Sequence, residues 1–196
     1  MEEVPLLETK RLVLREMRPE DAEAIFGMYG DEEVMRYRDV LAFSRLEEAQ
    51  QFLEQMRSRC EQGEEMHWGI TLKGEEHLVG SCGYSWHLGR QFGAIGYDLA
   101  RLYWKQGIMT EAMQALLRFG FEVRNLHRVE AKVRLGNDAS MRLLQRLGFQ
   151  EEGMLRESLF LNNHFFDVKI FSLLKSEYNI NRLFPRDAQR DVIAEQ

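Results

Sequence analysis

Cysteine is scarce. Cys60 and Cys82 are the only two in 196 residues, and they have neither metal-site spacing nor a disulfide pattern, so no metal and no disulfide framework are expected. Long apolar runs are missing too: nothing approaches the ~20 residues that cross a bilayer. The N-terminal "MEEVPLLETK" starts acidic and lacks the apolar stretch of a secretory signal. There is no basic excess. With 26 Lys and Arg against 32 Asp and Glu, the net charge is -6 and the pI is near 5.5. That balance argues against a protein that holds DNA or RNA by its phosphates, a local basic groove aside. Repeats and low-complexity segments are absent. These absences point to a reduced, cytoplasmic protein with no direct nucleic-acid or membrane partner.

With 44% hydrophobic and 30% charged residues, the chain suits one soluble domain with a real core. "RLVLREM" (11–17) reads as a strand with Leu12 and Leu14 on one face. In "RPEDAEAIFGMYG", Pro19 and two acids mark a helix start. Ala22, Ile25, Phe26 and Tyr29 form its buried stripe. "SRLEEAQQFLEQMRSRCEQG" opens with a capping box of Ser44 and Glu47 and carries Leu46, Ala49, Leu53 and Met56 at helical spacing. From about residue 66 short strands take over. "MHWGITL" and "HLVGSCGYSWH" flank the turn "KGEE". In "AIGYDLA", Ile95, Tyr97 and Leu99 face one way and Ala94, Gly96 and Asp98 the other.

"YWKQGIMTEAMQALLRFGFE" (103–122) passes from a polar loop into a helix with Ala112, Met113, Leu116, Leu117 and Phe121 on one side. Gly107 stands at the junction. It is either a plain turn residue or the point where an anion approaches unpaired helix N–H groups. "HRVEAKVRL" (127–135) alternates, with Val129, Ala131, Val133 and Leu135 on one face. "NDASMRLLQRLGF" is a short helix capped by Asn137 and ended by Gly148. "MLRESLFL" and "DVKIFSLLKSEY" form a closing hairpin around "NNHFF". The domain is expected to run from 7 to 178, with a polar tail over 179–196. Strand-helix-strand between "AIGYDLA" and "HRVEAKVRL" implies one parallel pair with a right-handed crossover. The fold class is α+β: a mixed, mostly antiparallel sheet with helices on both faces.

The order strand, "YWKQGIMTEA", helix, strand, "NDASMRLLQRLGF" resembles the GNAT-type N-acetyltransferases. "LETKRLVLREMRPEDA" and "NDASMRLLQRLGFQEEGMLRE" resemble the RimJ/RimL branch, which acetylates protein N-termini, including those of ribosomal proteins. The likeness extends from about Leu7 to Tyr178. It implies acetyl-CoA as co-substrate, with its pyrophosphate on the loop Lys105, Gln106, Gly107, Ile108, Met109 and Thr110. Met109 departs from the glycine or alanine usual there. No Lys-Ser or Lys-Thr follows the glycine, so the loop is not a Walker type. Asn137 and Ser140 match the family's Asn-x-x-Ser, in which the asparagine contacts pantetheine and the serine is a donor to the departing thiolate. Both are also ordinary helix-start residues.

The family polarises the thioester carbonyl with a backbone N–H, here at Leu99 or its neighbours, an oxyanion-type device. Many relatives carry a glutamate base just before "IGY", where this chain has Ala94. Asp98 and Glu130 are the remaining candidate bases, with water-mediated deprotonation as a third route. Glu130 is otherwise a partner for Arg128, Lys132 or Arg134. At pH 7 an α-amine is roughly a tenth neutral, and a lysine amine well under a thousandth. A chain without a dedicated base should therefore favour α-amines, such as a ribosomal or other protein N-terminus. Acetylation of a polyamine, amino acid or antibiotic, and non-catalytic acyl-CoA binding, are the alternatives. Glu111, Arg142, Asp167, Tyr84, Trp86 and His87 read more readily as structural than as functional. A monomer and a homodimer are both compatible with the sequence.

Overall fold

An N-terminal hairpin of β1 (Leu7–Glu8) and β2 (Leu12–Arg15) opens the fold, followed by a single 3-10 turn at Pro19–Asp21. The computed structural model describes residues 4–87 and 91–178, so the expected tail over 179–196 lies outside the described residues. Helices α1 (Ala22–Tyr29), α2 (Glu32–Met35) and α3 (Leu46–Glu61) come next, then strands β3 (Glu65–Leu72), β4 (Leu78–His87) and β5 (Phe92–Leu99). Helix α4 (Ile108–Arg118) runs on into a π-helical turn at Phe119–Val123 and leads to β6 (Arg128–Arg134). Helix α5 (Asp138–Arg146) and the hairpin β7 (Gln150–Leu161) and β8 (His164–Leu174) complete it. The eight strands form one sheet in the order β1-β2-β3-β4-β5-β6-β8-β7. Every neighbouring pair is antiparallel except β5 and β6.

Period-2 alternation sorts the strand side chains between two cores. Ile95 and Tyr84, direct neighbours across β4 and β5, join the larger core with α4 and α5. Its α4 contribution is the expected set of Ala112, Met113, Leu116 and Leu117, with Ile108 and Met109 added. Helices α1 to α3 build a second core on the opposite face from Ile25, Met28, Tyr29, Ala49 and Leu53. The α1 stripe thus includes Met28, while Phe26 is only half-buried, as is Leu46 of α3.

Four local expectations shift. The capping acid of α3 is Glu48, not Glu47: its Oε2 accepts from the Ser44 N–H at 2.6 Å, the Arg45 N–H at 2.8 Å and the Ser44 hydroxyl at 3.1 Å. The helix starts one residue later than the Ser44 motif implied, so Glu48 is the acid within reach. Leu135 lies past the end of β6 and is exposed. The closing turn is only Asn162-Asn163, both at positive φ, because two left-handed residues suffice for a hairpin whose twist matches its strands. His164, Phe165 and Phe166 belong to β8. Finally, "RLVLREM" pairs as a strand only over Leu12–Arg15.

Two features place the start of α4. Its axis is fixed against the sheet by the buried Tyr84 hydroxyl, which donates to the Leu116 carbonyl at 3.0 Å. Its N-terminus is pinned to the first hairpin by Glu111. That carboxylate accepts from the Thr9 hydroxyl at 2.6 Å, the Arg11 N–H at 2.8 Å and Arg11 Nε at 2.6 Å. Glu111 is thus more than an acid favourable to the helix dipole.

Burial pushes the Glu111 carboxyl up, but the hydrogen bonds from Thr9 and Arg11 outweigh it and hold the group below its ordinary range. A carboxyl with a depressed folded-state pKa contributes stability that is complete above the unfolded value, about 4.3, and is lost as pH falls through the folded value. Glu111→Gln should therefore lower urea-derived stability by about 1–3 kcal/mol at pH 7. The gap to the wild type should narrow below about pH 4.

Candidate active site

Gly107 is the N-cap of α4, with φ 76° and ψ 2°. A residue with a Cβ is strained in this left-handed conformation. The first helical bond runs from the Glu111 N–H to the Gly107 carbonyl at 3.1 Å, so the amides of Ile108, Met109 and Thr110 precede the helix's own ladder and are free to meet a ligand. Ile108 and Met109 bury their side chains and can contribute only main chain. The Met109 side chain therefore occupies the core and leaves the loop mouth clear. Gln106 turns its amide back to the Leu102 carbonyl at 2.8 Å, and Lys105, at φ 61°, is exposed.

Arg11 stands beside this loop, although the sequence shows it only as the first residue of a strand. Its Nη1 donates to the Gln106 carbonyl at 3.1 Å, and Nη2 would lie 3.5 Å from a Cβ on Gly107. A half-exposed guanidinium thus flanks the positive end of α4. Cation, helix terminus and close backbone approach together make an anion site.

Next to the loop the sheet comes apart. Strands β5 and β6 share only three register positions, Phe92 with Arg128, Gly93 with Val129 and Ala94 with Glu130. Beyond Ala94, β5 has no ladder partner on that edge. The Gln91 carbonyl accepts from the His127 N–H on the β6 side, and the Ala100 N–H donates to Val79 on the β4 side. Main-chain groups alternate along a strand, so those of Tyr97 and Leu99 face the gap. The Leu99 carbonyl accepts from Trp104 Nε1 at 2.7 Å.

Helix α5 closes the same wedge. The Asn137 side chain accepts from the Ser140 N–H at 3.2 Å, the expected cap, and the Ser140 hydroxyl lies 2.7 Å from the Tyr97 hydroxyl. Burial, countered by Ser140, pushes the Tyr97 phenol up to about 12, so it stays protonated and can donate. Tyr97 was legible only as one face of a strand. Arg142 is an exposed residue of α5.

On the opposite face, β3, β4 and β5 floor a cleft of about 590 Å³ roofed by α3 and the segment before it. Asp98 lies there, but already engaged: it accepts from the Tyr29 hydroxyl at 2.9 Å and pairs with Arg38 at 3.4 Å. Burial works against the Arg38 charge, and Asp98 with its acidic neighbours restores it. Glu130 does not line this cleft. It accepts from Arg128 Nε at 2.7 Å, while the rest of that guanidinium holds Glu152. Arg128 and the Ser172 hydroxyl bring the Glu152 carboxyl down to about 2.

Tyr84 and Trp86 stack with centroids 5.1 Å apart and pack structurally. The His87 side chain lies outside what is described. Asp167 accepts from the Glu157 N–H at 2.9 Å, a structural bond at a bulge of β7. Cys60 and Cys82 are free. Among the described residues there is no cluster of three metal-ligating side chains, and no helix is long and apolar enough to cross a membrane.

The family model of the acetyltransferase (GNAT) domain matches residues 11–150, and the chain belongs to that family. It is 37% identical over 174 residues to the "uncharacterized N-acetyltransferase p20" of Bacillus licheniformis, covering 88% of this chain and 97% of that one. A second relative, the [ribosomal protein uS5]-alanine N-acetyltransferase of Escherichia coli, is 27% identical over 123 residues, 62% of this chain and 63% of its own. Among solved structures, a GNAT-family acetyltransferase from Bacillus anthracis superposes with a TM-score of 0.80 at 26% identity, covering 88% of this chain and all of that one.

The protein is an acetyl-CoA-dependent N-acetyltransferase. The residues present fit the co-substrate. Free first-turn amides and Arg11 suit a pyrophosphate, and the unpaired edge of β5 suits an amide-bearing arm. Saturating acetyl-CoA should raise the wild-type melting temperature, as for any ligand selective for the native state. Gly107→Glu, which sets a side chain and a negative charge against the amides, should abolish the rise. Gly107→Asn, which tolerates positive φ, should keep most of it. An undiminished rise in Gly107→Glu would place the phosphates elsewhere.

Proposed function

We propose that the acceptor is the α-amine of a protein or peptide N-terminus. The observation that carries this reading is the state of Asp98. It is the one carboxylate that β5 sends into the cleft, and the Tyr29 hydroxyl and Arg38 guanidinium already share its Oδ2. A carboxylate that anchors a hydroxyl and a guanidinium is tied into the cleft wall rather than held out to an incoming amine. Ala94 supplies no replacement. Without a strong base on β5, amines already partly neutral at pH 7 are favoured, and α-amines are the commonest of these in proteins. The cleft adds Asp39, Glu48 and Glu65 to Asp98, against Arg38 and Arg59, and this acidic balance favours cationic acceptors. The Escherichia coli relative, whose acceptor is a ribosomal-protein alanine, supports the same class.

Bound acetyl-CoA supplies the acetyl group as an activated thioester. In this reading the amides of residues 107–110, with Lys105 and Arg11, hold the phosphates, and Asn137 holds the pantetheine arm. The Leu99 N–H donates to the thioester carbonyl, where preorganised donors are worth most. The Ser140 hydroxyl, backed by the Tyr97 phenol, gives a proton to the departing sulfur.

Acceptor competition tests the substrate class. Peptides with a free N-terminus should show at least ~10-fold higher kcat/KM than Nα-blocked peptides carrying one lysine, from the difference in neutral fraction. Faster acetylation of a polyamine than of any peptide would overturn the reading. Ser140→Ala should lower kcat by roughly ten- to a thousand-fold, in the range of proton and oxyanion donors, with the melting temperature little changed. A large loss of stability with near-normal kcat would leave Ser140 as a helix-start residue only.

A further inference from the structure

Another titratable side chain reaches the cleft, and it comes from β3. His67 lies opposite Gly83 of β4, which lies opposite Gly96 of β5. The row across the sheet is therefore one imidazole followed by two positions without side chains. A Cβ on Gly83 would fall 2.6 Å from both Cγ and Nδ1 of His67, so the ring leans over β4 and uses the space that glycine leaves. A Cβ on Gly96 would meet nothing within 4 Å. Open room thus begins beyond the ring, above β5. It is flanked on the same face by Ala94, which offers no base, and by Asp98, which is engaged.

Glu65 sets the imidazole's proton. Residues 65 and 67 share one face of β3, and His67 Nε2 stands 3.4 Å from Glu65 Oε2. The other oxygen, Oε1, accepts from Arg59 Nη1 at 3.2 Å. Oε2 is buried with no full hydrogen bond, an arrangement that is costly unless a donor closes on it. The donor at hand is an Nε2–H of His67. His67 foremost, and Arg59, hold Glu65 below its ordinary range against the opposing effect of burial, so it remains the acceptor. With the proton on Nε2, the lone pair is on Nδ1, over Gly83. Among the described residues Nδ1 has no hydrogen-bond partner.

We propose that His67, fixed in the Nε2–H tautomer by Glu65, is the proton acceptor for the incoming amine, and that Glu65 is its positioning residue. This rests on the reading of the cleft as the acceptor site, and it keeps the preference for α-amines, because a base as weak as an imidazole takes a proton from an α-ammonium far more readily than from a lysine ammonium. His67 Nδ1 takes one proton from the ammonium, R–NH₃⁺, giving R–NH₂. The C–N bond then forms as the C–S bond breaks. The second nitrogen proton balances the one that Ser140 delivers to sulfur, and His67 releases its proton to water.

The cleft in which the imidazolium forms is lined by Glu65 on its own strand, Arg59 and Glu48 on α3, Arg38 and Asp39 before α3, and Asp98 on β5. Strand β4 presents only hydroxyls there, and Cys60 of α3 meets the His67 main chain with a thiol that burial pushes up.

The test uses the full-length protein with an α-amine peptide. His67→Gln should lower kcat/KM by at least ~100-fold and remove the acidic limb of its pH profile. The acetyl-CoA-induced rise in melting temperature should persist. Nitrogen-15 imidazole NMR of the wild type should show His67 protonated at Nε2, and Glu65→Gln should turn this into a mixture of tautomers. Near-normal kcat/KM in His67→Gln with its acidic limb intact would overturn the assignment, as would an Nδ1–H tautomer in the wild type. Failure of the acceptor reading is separable, because the wild type itself would then acetylate no α-amine.

Discussion

The constraint on which this structure turns is the short parallel ladder between β5 and β6. Interior strands of a sheet normally satisfy their main-chain groups along their whole length, because an unpaired buried amide is costly. Here the pairing stops after Ala94 and Glu130, and twisted neighbours diverge where no further bonds hold them. The gap exposes main chain of β5 in the middle of the sheet. Around it the fold gathers what an acyl donor needs: the capped start of α4 at one end, and Ser140 with Tyr97 at the other. The Glu111 contacts to Thr9 and Arg11 belong to the same arrangement, since they set where α4 begins relative to the sheet.

The two faces of β5 divide the work. Tyr97 points to α5 and meets Ser140, while Gly96 and Asp98 point to the cleft under α3. An acyl donor entering through the wedge and an acceptor entering through the cleft therefore meet at one strand from opposite sides. The acidic balance of the cleft, the engaged state of Asp98 and the glycine pair beside His67 all act on the acceptor side. They bear on which amine reacts and leave the CoA side, with its free amides, unaffected.

Much of this was legible in the sequence, because strand alternation and helical stripes are local. The order of elements, the single parallel pair, the α4 loop at Gly107 and the Asn137 cap of α5 all follow from residues within a few positions of one another. What the sequence hid depends on distant partners. Arg11 reaches Gln106 across 95 residues, Tyr97 reaches Ser140 across 43, and Asp98 is occupied by residues of α1 and the segment after α2. The family's glutamate position, filled here by Ala94, points to carboxylates on β5 and β6. The basic candidate with an open approach lies two strands away. Glu65 and His67 were adjacent on one strand face all along, but their meaning depended on Gly83 and Gly96, which only pairing brings alongside. The slips at Glu47 and Leu135 are boundary effects, in which an element's end was set by packing rather than by local pattern.

The most direct test of the central claim is a map of backbone amide chemical shifts with and without CoA. The account predicts that the largest changes fall on Tyr97 and Leu99 and on the run from Gly107 to Thr110, with His67 and Gly83 on the far face little affected. Perturbations centred on the β3–β5 cleft, with the β5 edge and the α4 start unchanged, would contradict it.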